Sequence, residues 1–381
     1  MSKTIAYTVN DPDFFWSHRL SLAKSAIDKG FVVYLISDFK KSDVEKLQTV
    51  GIKTIDVKIN RNNKNFISNF KLVYQLNKIY NKIKPEIIHQ VSLKMIIFGS
   101  LSLFFSKKYK IVNAVTGMGY LFTNSRKSVS KYLVLFIIRL LNFKNNIFYI
   151  FQNKTDLELF KAQGLINNFV VIKGAGVDEF DFSIAEPKLN SKVQIVFTGR
   201  ILRDKGIIEL IKAFNLMPED VKEKAELNIY GDIDIKNPSY ISKKTLKKLI
   251  EHSSINWRGF SDDIKTVLIE SDIYCLPSYR EGLPKSIIEA MAIGRPIITT
   301  NAPGCDDCVI DDYNGFKIPI KDFSLLSETL AKLIVDSNLR IKMGRNSRKL
   351  FEAEFTLNKV IDQTFGFYEK VLSSWDIKKT C

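Results

Sequence analysis

Two glutamates with seven residues between them lie where a predicted strand gives way to a predicted helix. Glu281 and Glu289 enclose the sequence Gly-Leu-Pro-Lys-Ser-Ile-Ile. The apolar run before them, at 273–277, predicts a buried strand. Pro284 suits the first turn of a helix, and 285–292 is a good helical stretch. Glu281 is therefore expected on a strand-to-helix turn, with Glu289 about a turn and a half inside the helix.

Two cations lie in a second segment, upstream of the glutamates. The sequence Phe-Thr-Gly-Arg-Ile-Leu-Arg-Asp-Lys-Gly at 197–206 follows a predicted strand at 193–198 and contains Arg200 and Lys205. Both side chains suit a diphosphate, and the free N–H groups of a helix N-terminus also attract phosphate. Carboxylates accept hydrogen bonds from hydroxyl groups. Together the two segments predict a site for a sugar nucleotide.

The two segments resemble the signature of retaining glycosyltransferases of family 4, which have the GT-B architecture. The resemblance implies that Arg200 and Lys205 hold the donor diphosphate, that Glu281 lies by the donor sugar, and that Glu289 holds the ribose. The helix N-terminus beside them would add backbone groups and further donor contacts from Gly282, Leu283, Lys285 and Ser286.

The resemblance extends over nearly the whole chain. The segments 301–305 and 314–319 are similar to the region after the glutamate pair in members that build bacterial surface polysaccharides such as O-antigen and capsule. The segments 13–20 and 116–122 are similar to the N-terminal half of the same subgroup. That subgroup transfers hexoses or N-acetylhexosamines to polyprenyl-diphosphate-linked glycans, so these are the acceptor and donor that the resemblance implies.

Four further residues are predicted to contact the donor. Gly117 and Gly119 follow a predicted strand and could let the backbone approach the diphosphate. The turn at Gly231 resembles the family turn near the donor sugar, and Phe260 ends a turn that resembles the one whose backbone reads the uracil.

The acceptor side is expected near the first strand. His18 and Arg19 are predicted to open the first helix, directly after a strand at 4–9. His89 ends another predicted strand and is either a site residue or a core histidine.

Strands and helices alternate along both halves of the chain, which predicts parallel sheets covered by helices. The fold class is therefore α/β, with two doubly wound, Rossmann-like domains facing across a cleft. The predicted boundaries are 1–186 for an acceptor-binding, membrane-facing domain and 187–357 for a nucleotide-sugar domain. The last segment, 358–381, is expected to form a helix that packs back on the first domain.

The net charge of +16 is uneven. Residues 1–190 contain 28 Lys and Arg against 14 Asp and Glu, whereas 191–381 contain 29 against 27. A basic half predicts an anionic partner. Nucleic acid is not expected, because no zinc-finger, zipper or RNA-recognition motif is present. An anionic membrane surface is favoured, since the same half contains apolar stretches at 96–105 and 132–141, the second flanked by Lys127, Lys131 and Lys144.

The location and chemistry follow from what the motifs contain. Both apolar stretches are too short to span a bilayer, and no signal-peptide core precedes Asp11. We therefore expect a cytoplasmic protein attached peripherally to the inner face of the membrane. Cys305 and Cys308 are expected to be structural, because the thioredoxin context is absent. No metal or other cofactor is expected, since the cations would serve the diphosphate and the UDP-sugar is a substrate.

Two other classes of function remain open. The nucleotide-sugar 2-epimerases share the two-domain fold and also bind a UDP-sugar, although the glutamate pair argues against them. A non-catalytic protein bound to anionic membrane is the second alternative, and the intact donor motifs argue against it.

Overall fold

The computed structural model describes residues 3–59, 66–118, 129–162, 164, 168–186, 191–251 and 253–374. The chain forms two compact units. The first comprises Met1–Ala175 and Val360–Cys381, and the second comprises Gly176–Lys359.

A seven-stranded parallel sheet forms the centre of the first unit, in the order β3-β2-β1-β4-β5-β6-β7. Its strands are β1 Thr4–Val9, β2 Val32–Ser37, β3 Lys53–Asp56, β4 Ile87–Val91, β5 Lys110–Val115, β6 Ile147–Phe151 and β7 Phe169–Val171. Its helices are α1 Pro12–His18, α2 Leu20–Asp28, α3 Lys41–Thr49, α4 Phe66–Ile83, α5 Leu93–Ser102, α6 Val129–Asn142 and α7 Lys154–Ala162.

Two apolar cores lie on opposite faces of this sheet. One core contains buried residues of α4, α5, α6 and α7. The other contains buried residues of α1, α2 and α3, together with Phe365, Tyr368 and Val371 of the last helix, α15 Leu357–Ser373. Because successive side chains of a strand point to opposite faces, Ala6 and Tyr7 of β1 belong to different cores.

The second unit has a six-stranded parallel sheet in the order β10-β9-β8-β11-β12-β13. Its strands are β8 Val193–Thr198, β9 Ala225–Tyr230, β10 Ile255–Gly259, β11 Ile273–Leu276, β12 Ile297–Thr300 and β13 Gly315–Ile318. Its helices are α8 Ile207–Leu216, α9 Glu219–Lys222, α10 Lys243–Ile250, α11 Ile264–Ile269, α12 Lys285–Ile293, α13 Phe323–Val335 and α14 Ser337–Glu354. Both units are therefore α/β with parallel, Rossmann-like sheets, which is the predicted fold class.

The second unit begins ahead of the predicted boundary at 186. The backbone N–H of Ala185 donates to the carbonyl of Ile293 at 3.1 Å, and Val177 pairs with Thr356. Residues 176–186 therefore belong with the second unit, because their hydrogen bonds are made there.

The first predicted helix is interrupted. The structure has two helices here, α1 and α2, with Arg19 between them at φ −133°. The Ser17 hydroxyl donates to the Asp13 carbonyl at 2.9 Å. Such a bond competes with the helix ladder and bends it. His18 consequently ends α1 instead of opening a helix.

Within the described residues, no helix combines the length and apolarity needed to cross a bilayer.

Candidate donor-binding site

The predicted donor residues of the second unit follow four neighbouring strands. Arg200 follows β8, Gly231 follows β9, Phe260 follows β10 and Glu281 follows β11. These strands are adjacent and parallel in the order β10-β9-β8-β11. Their carboxyl ends therefore lie along one edge of the sheet, which is where ligands bind in open α/β sheets.

Lys205 and Glu281 form an ion pair at this edge. The Lys205 Nζ lies 2.5 Å from the Glu281 Oε1, with side chains 20% and 14% exposed. The Ser278 hydroxyl donates to the same carboxylate oxygen at 2.7 Å. An ammonium and a carboxylate side by side can interact with a phosphate and a sugar hydroxyl, respectively.

Gly206 explains how the chain brings these two side chains together. Lys205 ends a short 3-10 helix, Arg203–Lys205, and Gly206 has φ +72°. A Cβ at Gly206 would lie 2.0 Å from the carbonyl oxygen of Pro277, just after β11. Only glycine allows the turn after β8 to pack so closely on the end of β11, and Lys205 is thereby placed beside Glu281.

The turn that carries Glu281 is supported from behind by the segment after β12. The Glu281 N–H donates to the Pro303 carbonyl at 2.9 Å. A Cβ at Gly304, which has φ +81°, would lie 2.5 Å from the Glu281 carbonyl oxygen. The segment 301–305, singled out from the sequence, thus fixes the backbone of the glutamate turn.

Cys305 and Cys308 extend this support into the core. Both side chains are buried, and burial raises the pKa of the Cys305 thiol to about 12. Thiols held in this neutral form pack as small apolar side chains.

Glu289 lies on α12, one turn after Lys285. The Lys285 Nζ lies 3.1 Å from the Glu289 Oε1. Burial raises the pKa of Glu289 above its ordinary value, and Lys285 opposes that rise. A largely buried carboxylate is costly unless it is paired, and Lys285 provides that pairing.

The N-terminal part of α12 presents different groups to the site. Leu283 is buried in the core of the unit, so only its backbone is available to a ligand. Gly282, Lys285 and Ser286 are partly exposed. Burial raises the pKa of Tyr274 on β11, and the neighbouring Ser286 hydroxyl opposes that rise.

Arg200 is placed differently from Lys205. Its Nη1 lies 2.9 Å from the Asp234 Oδ2, and its side chain is 58% exposed. The two cations that the sequence pairs on one diphosphate thus have separate carboxylate partners here. Asp234 was not among the predicted site residues, and neither were Ser278 and Gly304. Ser278 and Gly304 each follow a buried strand closely, which is the signal that could have identified them.

Gly231 and Gly199 bring the turns after β9 and β8 into contact. A Cβ at Gly231, with φ +144°, would lie 1.8 Å from the Gly199 carbonyl oxygen. The Gly231 N–H donates to the Gly259 carbonyl at 2.7 Å, and the Trp257 indole donates to the Gly231 carbonyl at 2.9 Å. Phe260, next along the chain, exposes its ring to solvent.

The remaining candidates lie in the first unit. Gly117 follows β5 with φ +109°, a conformation that favours glycine, and Gly119 lies outside the described residues. The His18 ring stacks on Phe14 with centroids 4.1 Å apart. Arg19 is buried, and burial lowers its pKa.

His89 is a core residue of the first unit. Its Nδ1 lies 2.6 Å from the hydroxyl oxygen of Tyr368 on α15, and burial lowers its pKa well below the ordinary value. The histidine is therefore neutral, and it connects β4 to the last helix.

Among the described residues, no group of three or more His, Cys, Asp or Glu side chains is arranged to hold a metal ion. The predicted absence of a metal requirement stays a prediction.

Two family models match the chain, one in each half. Residues 4–153 match the family described as "Glycosyl transferase 4-like", and residues 178–350 match "Glycosyl transferases group 1". The second match contains every donor-site residue placed above in the second unit.

Curated relatives and a solved structure agree with these matches. The chain is 26% identical over 372 residues to the N,N'-diacetylbacillosaminyl-diphospho-undecaprenol alpha-1,3-N-acetylgalactosaminyltransferase of Campylobacter jejuni, covering 93% of this chain and 96% of the relative. It is 27% identical to the UDP-Gal:alpha-D-GlcNAc-diphosphoundecaprenol alpha-1,3-galactosyltransferase of Escherichia coli, covering 80% and 81%. The crystal structure of Anabaena Alr3699/HepE in complex with UDP superposes with a TM-score of 0.78 at 16% identity, covering 96% of this chain and 100% of that one.

The likeness to the Anabaena structure shows a shared fold, the GT-B architecture of two Rossmann-like domains. The two family models, at 4–153 and 178–350, and the relatives over most of the length show that this protein is a glycosyltransferase that joins a glycosyl transferase 4-like half to a group 1 half.

Proposed function

We propose that this protein is a retaining glycosyltransferase that moves a hexose or N-acetylhexosamine from a UDP-sugar to a polyprenyl-diphosphate-linked glycan. The observation that carries the proposal is the Lys205–Glu281 ion pair at the carboxyl edge of the second sheet. It places an ammonium for phosphate and a carboxylate for sugar hydroxyls next to the start of α12.

The acceptor class is supported by the named relatives. Both act on sugars linked to diphospho-undecaprenol, and one is named for UDP-galactose as donor. A lipid-linked acceptor is embedded in a bilayer, so the enzyme would work at a membrane surface. Synthesis of a surface polysaccharide such as O-antigen or capsule is the process that such acceptors fit.

In the proposed complex, Lys205 and Arg200 bind the donor diphosphate and Glu289 accepts hydrogen bonds from the ribose. Gly282, Ser286 and neighbouring amides add the positive end of the α12 dipole. The Arg200 side chain is exposed, so it can give up its ion pair with Asp234 to bind the diphosphate.

In the transfer step, the bond from the anomeric carbon to the UDP oxygen breaks, and UDP leaves with the electron pair. The acceptor hydroxyl attacks the oxocarbenium-like carbon from the same face, and its proton passes to a phosphate oxygen of the leaving UDP. Catalysis then rests on positioning and on stabilising the leaving charge. Both relatives are named for α-1,3 linkages, the anomeric form that retention of an α-linked donor gives.

A donor screen tests the proposal directly. The purified protein is incubated with a panel of UDP-sugars, with and without bacterial lipid extract, and release of UDP and of labelled lipid is measured. UDP release that is stimulated by lipid, with an α-linked product by NMR, is the expected result. Conversion of the UDP-sugar to its 2-epimer without acceptor would instead identify an epimerase, and binding without turnover would favour a non-catalytic protein.

A further inference from the structure

Three helices of the first unit share one outer surface. α4, α5 and α6 cover the same face of the seven-stranded sheet, where Leu76, Ile96 and Ile138 are buried in one core. α4 packs against α5, and α5 packs against α6. The residues on the sides of these helices opposite the core therefore form one surface that faces away from the sheet.

The outer side of α6 is apolar as well. Leu135, Ile138 and Leu141 face the core, whereas Phe136, Arg139 and Leu140 between them are exposed. The exposed apolar residues of α6 and of the position after it are Tyr132, Leu133, Phe136, Leu140 and Phe143. A helix that is apolar on both sides is stable at a surface only when something covers the outer side.

Phe105 is held at the same end of this surface. The Lys144 ammonium lies 3.0 Å from the carbonyl oxygens of Leu103 and Ser106, and it also donates to that of Phe104. These bonds tie the turn after α5 to the end of α6. Phe105, 98% exposed, and Phe143, 79% exposed, therefore lie on the two segments that Lys144 joins. We call the exposed apolar residues of 132–143, together with Phe105, the apolar outer face.

α4 extends the surface on the other side of α5. Its outward residues include Phe70 and Tyr74, both more than half exposed. The Lys78 Nζ lies 4.7 Å from the centre of the Tyr74 ring.

The surroundings of the apolar outer face are strongly basic. Between residues 66 and 146 the sequence has 13 Lys and Arg and one acidic residue, Glu86. Lys107, Lys108 and Arg139 are exposed beside Phe105 and along α6. Lys144 is turned toward the carbonyls instead, and Lys127 lies outside the described residues, so two of the three cations singled out in the sequence are not suitable probes.

The partner must be both apolar and anionic. A second copy of this chain would bring like charges together, and like charges repel. Nucleic acid would leave the exposed Phe side chains in water. An anionic bilayer offers acidic headgroups for the cations and acyl chains for the rings.

We propose that the apolar outer face is a membrane-docking surface that inserts Phe105, Phe136 and Phe143 into the headgroup region of an anionic bilayer. The inference extends the proposed function, because a lipid-linked acceptor lies in a bilayer. Its test nevertheless uses neither donor nor acceptor, so its failure and that of the transfer reaction are distinguishable.

Vesicle flotation measures the docking. The full-length protein is mixed with vesicles of phosphatidylglycerol and phosphatidylethanolamine, or of phosphatidylcholine alone. We expect binding to the anionic vesicles that weakens as salt is raised, because screening shortens the range of the attraction. The triple variant Lys107→Glu, Lys108→Glu, Arg139→Glu should lower the partition coefficient by roughly 100-fold or more.

The apolar contribution is tested separately. The triple variant Phe105→Ser, Phe136→Ser, Phe143→Ser should lower the partition coefficient by at least about tenfold. The matched control is Phe180→Ser, which removes a phenylalanine of the second unit that is 81% exposed. This change should leave vesicle binding unchanged. Circular dichroism and the thermal unfolding midpoint of each variant show that it is folded.

The depth of insertion distinguishes docking into the bilayer from electrostatic attraction to its surface alone. Phe136→Trp should gain fluorescence quenching by brominated lipids relative to the wild type, whereas Phe180→Trp should not. Equal binding to neutral and anionic vesicles, no effect of the serine triple, or no quenching of Phe136→Trp would each overturn the proposal. Loss of a dimer in the serine triple, with no vesicle binding by the wild type, would show that a second copy covers this face.

Discussion

Lys205 and Glu281 are 76 residues apart in the sequence, and their side chains meet at 2.5 Å. They end the turns after β8 and β11, which are neighbours in the second sheet. The pair is largely shielded from solvent and is joined by the Ser278 hydroxyl. The two charges neutralise each other, and in the proposed donor complex a diphosphate bound to Lys205 would release Glu281 for the sugar.

Replacing Glu281 tests its role at the sugar. Glu281→Gln keeps the size of the side chain and removes its charge. We expect sugar transfer to fall by about 100- to 1000-fold, the usual effect of losing a well-placed electrostatic contact. Turnover is measured as UDP release with lipid acceptor, and the melting temperature checks the fold. Glu328→Gln, on the exposed side of α13, is the control. Turnover above half of the wild-type value in Glu281→Gln would rule out a role for Glu281 at the donor sugar.

Lys205→Ala should weaken the binding of UDP more than that of UMP, because the ammonium is expected to contact the outer phosphate. A charge-assisted hydrogen bond is worth roughly 1.5–3 kcal/mol. Calorimetric titration of both nucleotides measures the two affinities. Lys349→Ala, on the exposed side of α14, is the control. Arg200→Ala should act in the same direction. Equal losses of UMP and UDP affinity would place the cations elsewhere.

Glu289 makes stability depend on pH. Burial raises its pKa above the ordinary 4.5, so the folded state binds the proton more tightly than the unfolded state. The stabilising effect of the proton is complete below the unfolded pKa and is lost as the pH rises through the folded pKa. Glu289→Gln lacks this dependence. Its melting temperature should therefore exceed that of the wild type most at pH 7, with the gap narrowing toward pH 4.5.

Two controls accompany the Glu289 measurement. The melting temperature of Glu328→Gln, a change at an exposed position of α13, is measured beside it at each pH. UDP affinity should fall in Glu289→Gln even though stability rises, if the carboxylate holds the ribose. A gap that widens at acidic pH would contradict the buried-carboxylate account.

Gly231→Ala should destabilise the second unit and weaken UDP binding together. A Cβ there meets the Gly199 carbonyl at 1.8 Å, and strained backbone costs about 1–3 kcal/mol. Denaturant unfolding measures the loss. Gly366→Ala is the matched control, since it lies in α15 with nothing within 4 Å of the added carbon. Gly366→Ala should raise the free energy of unfolding by roughly 0.5–1 kcal/mol. Equal changes in the free energy of unfolding for the two variants would mean that the turns after β8 and β9 can separate freely.

Transfer should survive metal removal, because the proposed site uses Arg200, Lys205 and the α12 N-terminus to balance the diphosphate charge. Turnover is compared before and after EDTA treatment. Full loss in EDTA, restored by magnesium or manganese, would show that an ion takes part in binding the donor.

The positions of the candidate donor-site residues could be predicted because local patterns fix strand–turn–helix units. An apolar run followed by a proline predicted β11 and α12, and with them the positions of Glu281 and Glu289. The elements that the sequence missed include the edge strands β3 and β13, four residues each. An edge strand is buried less than a central one and so leaves a weaker apolar pattern.

By itself, the sequence determined the fold class, the location of the donor motifs at strand ends and the basic character of the first half. The tertiary structure decided which side chains meet. It paired Lys205 with Glu281 and Arg200 with Asp234, buried Arg19, and turned Lys144 toward the carbonyls after α5. These outcomes depend on the order of strands in each sheet and on close approaches such as that of Gly206 to Pro277. The physical reason is that spacing along a chain sets the face and end of each element, whereas contacts between elements distant in sequence are set by packing.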